Sequence, residues 1–149
     1  MATNGFEFVG YIDGRPCGPR IMDFEMAADT AGYYKGDLLV TDSAGRMDKV
    51  AGTCQEVAAV CMETETDAVS ADDKLKVAII AKGQIWRCSA DASSVTAYEG
   101  YTKTICNLDE NTIDADGSGH FILWKVDTTE DTSYATVYLC FGDTTWENE

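Results

Sequence analysis

Short apolar runs of strand length recur along the chain, separated by polar or glycine-containing connections. Residues 37–41 and 46–50 are two such runs, and the connection between them, residues 42–45, ends in glycine. This arrangement predicts an antiparallel hairpin. The next apolar run, residues 56–62, is short and contains β-branched side chains, which favours a buried strand over a helical turn.

The rest of the chain continues this pattern. Residues 75–81 and 84–88 predict a second hairpin, in which Gly83 supplies the positive φ of the turn. Three further runs have strand character, at residues 103–106, 120–126 and 134–141. No segment has sustained helical periodicity, and the last run is apolar on both faces. The predicted fold class is therefore all-β with little helix, in a barrel or a sandwich.

The first 27 residues have a different character. Residues 6–12 form a good strand sequence, but Gly and Pro recur after it, and both prolines of the chain, Pro16 and Pro19, lie here. Proline limits how much of a segment can enter the interior of a sheet. Residues 1–27 are therefore predicted to form either an edge strand or an arm that adds a strand to a neighbour, and residues 28–149 the β-rich domain.

Composition and charge exclude several classes of function. The 149-residue chain has 11 Lys+Arg against 26 Asp+Glu, a net charge of −15, which argues against nucleic acid or anionic membrane as a partner. No apolar run approaches the roughly 20 residues that cross a bilayer. The first residues lack the basic and apolar regions of a secretory signal. A soluble single-domain protein is predicted, with no nucleic-acid and no membrane partner.

The six cysteines lack the close pairing of a zinc knuckle, and His120 is the only histidine, so no zinc site is predicted. Cys61, Cys88 and Cys140 lie within apolar runs, where a thiol behaves as a small hydrophobic side chain. Cysteines that are reduced and mostly buried are therefore expected. An even number of cysteines would also permit three disulfides in an oxidising compartment.

The common catalytic motifs are missing from the sequence: it has no Gly-x-Ser-x-Gly elbow, no phosphate-binding P-loop and no dinucleotide-binding glycine pattern. His120 follows a Gly-Ser-Gly segment at the start of a strand run, which favours a solvated residue at a loop edge over an acid–base catalyst. The sequence predicts that the protein is not an enzyme, and it predicts no cofactor. A small enzyme built around His120 is the weakest of the alternatives.

One acidic segment, residues 109–117, resembles a metal-binding loop. Asp114-Ala-Asp116-Gly117 is similar to the middle of an EF-hand, but the first and twelfth ligand positions would then be Thr112 and Leu123, which do not fit. A polar hairpin loop is the preferred interpretation, and no metal site is predicted.

Three segments together resemble a known family. Gly36-Asp-Leu-Leu-Val-Thr-Asp-Ser-Ala-Gly45, Val57-Ala-Ala-Val60 and Lys76-Val-Ala-Ile-Ile-Ala-Lys-Gly83 are similar to segments of tailed-bacteriophage capsid decoration proteins, also called cement or head-stabilising proteins, of the lambda type. The resemblance covers residues 36–90 well and residues 119–141 only loosely. The chain, with 149 residues and six cysteines, is longer and richer in cysteine than the simplest members of that family.

The resemblance implies a small β-barrel of the β-tulip kind and a structural virion protein. Such a protein is synthesised in the host cytoplasm and binds the outer surface of the expanded capsid as a homotrimer. Its partner would be the major capsid protein, and it would stabilise the shell against the pressure of packaged DNA. Residues 93–149 would then form an outward-facing lobe.

Family members often attach by an N-terminal arm that reaches onto the coat protein. That gives a role to residues 6–12. We expect Phe6, Phe8, Tyr11 and Ile12 to contact the capsid or a neighbouring subunit, because these side chains are apolar.

The alternative is a β-sandwich recognition module on a virion or cell surface that binds a glycan or a receptor. Aromatic side chains would stack on sugar rings, and the candidates are Trp86, Tyr98, Tyr101, Trp124 and Tyr138. Asp114 and Asp116 would hold calcium in such a module.

Overall fold

The computed structural model describes residues 5–50, 57–81 and 83–90, together with the backbone of four later strands at 104–107, 112–114, 121–127 and 136–140. These residues contain eleven strands and no helix, which confirms the predicted all-β class. The strands are β1 (Glu7–Tyr11), β2 (Arg20–Glu25), β3 (Leu38–Thr41), β4 (Met47–Lys49), β5 (Ala59–Cys61), β6 (Lys74–Ile79), β7 (Gln84–Ala90), β8 (Thr104–Asn107), β9 (Thr112–Asp114), β10 (Phe121–Asp127) and β11 (Thr136–Cys140).

The strands form two sheets whose neighbours run antiparallel. The six-stranded sheet has the order β1-β7-β11-β10-β8-β9, and the five-stranded sheet has the order β2-β6-β5-β3-β4. One short parallel pairing joins β9 back to β7, at Ser89 and Ala90. The chain therefore begins in the six-stranded sheet, builds the whole five-stranded sheet and then returns.

The first predicted hairpin is confirmed. β3 and β4 pair with Thr41 opposite Met47, and Gly45 in the connection has φ +80°. The Asp42 carboxylate fixes the turn by accepting hydrogen bonds from the backbone N–H groups of Ala44 at 2.8 Å and Arg46 at 2.9 Å.

The second predicted hairpin is wrong. β6 and β7 are both strands, and Gly83 has the expected positive φ of +85°, but the two strands belong to different sheets. Neither strand has an edge left for the other: β6 lies between β2 and β5, and β7 lies between β1 and β11. The turn at Gly83 instead carries the chain from one sheet to the other.

Two strands were not expected. β2 follows the Gly- and Pro-rich segment and pairs over six residues with β6. β9 lies within the acidic segment 109–117 and pairs with β8 and β7, so the interpretation of that whole segment as a hairpin loop is wrong. Both strands contain charged side chains, and tertiary pairing outweighs their weak intrinsic strand signal.

The core of the five-stranded sheet surrounds the buried Tyr33. Ten buried residues form this cluster: Met26, Tyr33, Leu39, Met47, Ala58, Ala59, Cys61, Val69, Leu75 and Val77. The opposite face of the sheet is also buried at its centre, where Leu38, Val60 and Ala78 lie side by side on adjacent strands. This burial on both faces explains why the central strands are almost continuously apolar.

Polar contacts hold Tyr33 in the core. Its hydroxyl donates to the Ala27 carbonyl at 2.8 Å, and burial raises the pKa of that hydroxyl. Lys49 Nζ lies 5.3 Å from the centre of the Tyr33 ring and 3.2 Å from Asp29 Oδ2, and it donates to the Gly32 carbonyl at 2.8 Å. These contacts fix the segment after β2 against β4.

Candidate functional site

The candidate contact surface is built on β1, where a β-bulge changes the alternation of its side chains. Phe8 pairs with Trp86, but Tyr11 pairs with Gln84, because Val9 is an extra residue in the ladder. In a regular strand, positions 8 and 11 would face opposite sides of the sheet. The bulge places both aromatic rings on the face that carries Gln84 and Trp86.

The inward face of β1 packs as a cluster of aromatic rings. Phe8 meets Trp86 edge to face, with ring centres 5.4 Å apart, and meets Tyr11 at 5.6 Å. Trp86 is completely buried. Phe6, just before the strand, is also buried, and its backbone N–H donates to the Gly36 carbonyl at 2.9 Å. β1 is therefore held to its own chain by this apolar packing together with its backbone pairing to β7.

Gln84 connects β1, β6 and β7 beneath these rings. Its side-chain oxygen accepts hydrogen bonds from the Trp86 indole at 3.0 Å and the Ala81 backbone N–H at 2.9 Å. Its amide nitrogen donates to the Ile79 carbonyl at 3.2 Å and lies 3.4 Å from the Tyr11 hydroxyl. The buried amide thus uses its full hydrogen-bonding capacity. The Gln84 side chain thereby occupies the Ile79 carbonyl and the Ala81 N–H, two backbone groups that would pair with β7 in a β6–β7 hairpin.

The loop that follows β1 folds back onto Tyr11. Gly14, with φ +77°, donates its backbone N–H to the Tyr11 carbonyl at 2.9 Å. The Tyr11 hydroxyl lies 3.4 Å from the Gly18 carbonyl. The Arg15 guanidinium lies 4.5 Å from the centre of the Tyr11 ring, and its hydrogen bonds to Asp13 lower the pKa of that carboxyl.

The four predicted contact residues have different positions. Phe6 and Phe8 pack within the chain, Tyr11 is half-buried, and Ile12 has 48% of its surface exposed. Sequence reasoning missed Val9, which is 46% exposed and lies on the face of β1 opposite Phe8. A bulge leaves no clear signal in a run of apolar residues, so the sequence could not separate the inward side chains from the outward ones.

Beside these exposed side chains, β1 carries an ion pair to β7. The Glu7 carboxylate accepts a hydrogen bond from Arg87 Nε at 2.9 Å, and both side chains are exposed to solvent. Such a pair contributes little to stability, about 0–1 kcal/mol, but it helps to fix the strand register.

Other chemistry in the described residues is limited. They include no group of three or more side chains placed to hold a metal ion. A depression of about 320 Å³ is lined by Glu65, Asp67, Asp73 and Lys74 among others, without a thiol or a histidine. Cys17 is exposed, whereas burial raises the pKa of the Cys61 thiol to about 11.

Several predicted residues lie beyond the part of the chain whose side chains the structure describes. His120, Tyr98, Tyr101 and Asp116 lie outside the described residues, and only the backbone is described for Asp114, Trp124 and Tyr138. Trp86, a candidate for stacking on a sugar, is buried and unavailable to one.

No protein-family model matches the chain, and no curated protein matches it. Within the described residues, no helix is long and apolar enough to span a membrane.

Proposed function

We propose that this chain is a capsid decoration protein, which binds the outer surface of an expanded phage capsid and stabilises it. In this proposal its partners are the major capsid protein and two further copies of itself, and its location is the virion. The proposal includes the expectation that the protein is not an enzyme. It rests first on the sequence resemblance of residues 36–90 to that family.

The structural observation that carries the proposal is the position of β1. It lies at one end of the six-stranded sheet and presents Val9 to solvent, and Ile12, the residue after the strand, is also exposed. An edge strand with exposed apolar side chains suits attachment by strand addition, in which backbone hydrogen bonds give affinity and the side chains fix the register. Many identical sites on a capsid would reinforce a modest affinity per site.

The β-tulip part of the proposal has two supporting contacts. Met26, just after β2, forms a parallel bridge with Met47 in β4, so the two ends of the five-stranded sheet come together around the core. In the other sheet, β9 is the last strand in the order, and it also pairs with β7, which is the second. Both contacts favour strongly curled sheets.

The test is co-sedimentation with empty heads of the source virus, in expanded and unexpanded form. Removal of residues 1–12 would also remove the buried Phe6 and the half-buried Phe8, so point substitutions are a cleaner probe. We expect the wild-type protein to saturate expanded heads only. Val9→Asp and Ile12→Asp should weaken binding at least tenfold, because each places a charge at the proposed contact.

Ile21→Asp is the matched control. Ile21 is 45% exposed, close to the 48% of Ile12, but it lies on β2 at the edge of the other sheet. It should leave binding unchanged. If the wild-type protein binds neither form of the head, the capsid proposal is wrong, and glycan and receptor screening of the recognition-module alternative becomes the next experiment.

A further inference from the structure

We propose that β1 exchanges between copies of this chain, so that β1 of one copy pairs with β7 of another. The partner is a second copy, and the surface it occupies is the one that β1 covers within its own chain. The inference does not depend on the capsid proposal, because every contact involved is made between residues of this chain.

The first observation is where β1 is attached. The contacts that join β1 and its flanking residues to distant parts of the chain include two short stretches, Gly36 and residues 83–87. β1 is separated in sequence from both, and the strand that follows it, β2, belongs to the other sheet. β1 can therefore leave as a unit without breaking a hydrogen bond of the five-stranded sheet.

The second observation is the connection. Residues 12–19 form no strand and contain two glycines and two prolines, and most of them are exposed. The loop is held in its folded form by contacts that converge on Tyr11: from the Gly14 N–H, from the Gly18 carbonyl and from the Arg15 guanidinium. Eight residues extend to roughly 26 Å, enough for β1 to reach a neighbouring copy.

The third observation selects the occupant. The surface left by β1 needs an aromatic ring against Trp86, a carboxylate opposite Arg87 and a backbone donor at the Gly36 carbonyl. A second copy of the chain supplies all three in the same register. Exchange of an identical element therefore costs little beyond opening the loop.

Gly14 controls the balance between the folded and the open loop. Its φ of +77° is strained for any residue with a side chain, although a Cβ there would meet nothing within 4 Å. Gly14→Pro is incompatible with that φ and also removes the N–H that bonds to Tyr11. An extended loop accepts both changes, so the substitution should favour exchange.

Gly18→Ala is the matched control. Gly18 lies in the same loop and also has open space for a Cβ, but its φ is not in the positive range. We expect Gly14→Pro to raise the dimer fraction at least tenfold at equal protein concentration, measured by size-exclusion chromatography with light scattering. Gly18→Ala should behave as the wild type does.

A disulfide experiment identifies the contact directly. Chains with Glu7→Cys and chains with Arg87→Cys, both with Cys17→Ser, are refolded separately or together and then oxidised. Positions 7 and 87 are directly paired on adjacent strands, which suits a disulfide. Exchange predicts a covalent heterodimer in the mixture that increases with Gly14→Pro.

Two controls define what is linked. A single chain carrying both cysteines should close its own disulfide, and Thr41→Cys mixed with Arg87→Cys should give only background from random collision. Dimers that fail to link positions 7 and 87 above that background would overturn the proposal. A Gly14→Pro protein that stays monomeric and gives no mixed disulfide would do the same.

Discussion

β1 and β2 are neighbours in the sequence and both lie at sheet edges, but the chain holds them in different ways. β2 pairs with β6 over six residues without a bulge, and the chain then continues into the buried Met26. β1 has four paired residues, a bulge and a folded loop behind it. The two edge strands therefore differ in the length and regularity of their backbone pairing rather than in the burial of their side chains, since neither strand contains a buried residue.

The largest expected losses of unfolding free energy come from substituting two glycines that each lie close to a backbone carbonyl. A Cβ on Gly32 would collide with the Glu65 carbonyl inside the five-stranded region, and a Cβ on Gly5 would lie 2.6 Å from the Gly36 carbonyl beside β1. Gly32→Ala should cost about 4 kcal/mol, from overpacking together with its positive φ. Gly5→Ala should cost less, because β1 can lift away.

Urea denaturation of the two variants measures this comparison directly. Equal losses of unfolding free energy would show that β1 is held as firmly as the five-stranded region and would contradict the distinction.

The second comparison removes one large side chain from each region. Met26→Ala creates a cavity in the core of the five-stranded sheet and should lower the free energy of unfolding by about 3 kcal/mol. Phe8→Ala removes a half-buried ring and should cost about 1.5 kcal/mol. Thermal unfolding followed by circular dichroism should rank them in that order, and a larger loss for Phe8→Ala would contradict the account.

Gln84 tests the junction between the regions. Gln84→Met keeps the volume but leaves the Trp86 indole and the Ala81 N–H without their acceptor, which should cost about 2 kcal/mol. Indole fluorescence of Trp86 should shift as its hydrogen bond to Gln84 is lost. Gln84→Glu, which retains the acceptor oxygen, is the control for the indole contact at a pH where the side chain is neutral.

The smallest expected effect is at the surface pair of β1 and β7. Glu7→Gln removes the charge that faces Arg87 and should change the free energy of unfolding by less than about 0.5 kcal/mol. A double-mutant cycle with Arg87→Gln measures the coupling. A coupling above about 1.5 kcal/mol would mean that charge rather than apolar packing holds β1.

The sequence predicted much of this fold, since short apolar runs bounded by polar or glycine-containing segments place β1, β3 to β8, β10 and β11 close to where they lie. It failed where local and tertiary preferences differ. Gly83 makes the expected turn, but the pairing of β6 and β7 depends on strands distant in the sequence. In the candidate site, the apolar character of β1 was readable, whereas the bulge that brings Tyr11 onto the same face as Phe8 was not.

Amide hydrogen exchange, resolved by residue, tests the central claim that β1 opens independently of the five-stranded sheet. We predict that the protected amides of Glu7–Tyr11 exchange at least tenfold faster than those of Arg20–Glu25, through an opening that leaves β2 paired with β6. Gly14→Pro should accelerate exchange in β1 alone. Equal rates in the two strands, set by global unfolding, would contradict the account.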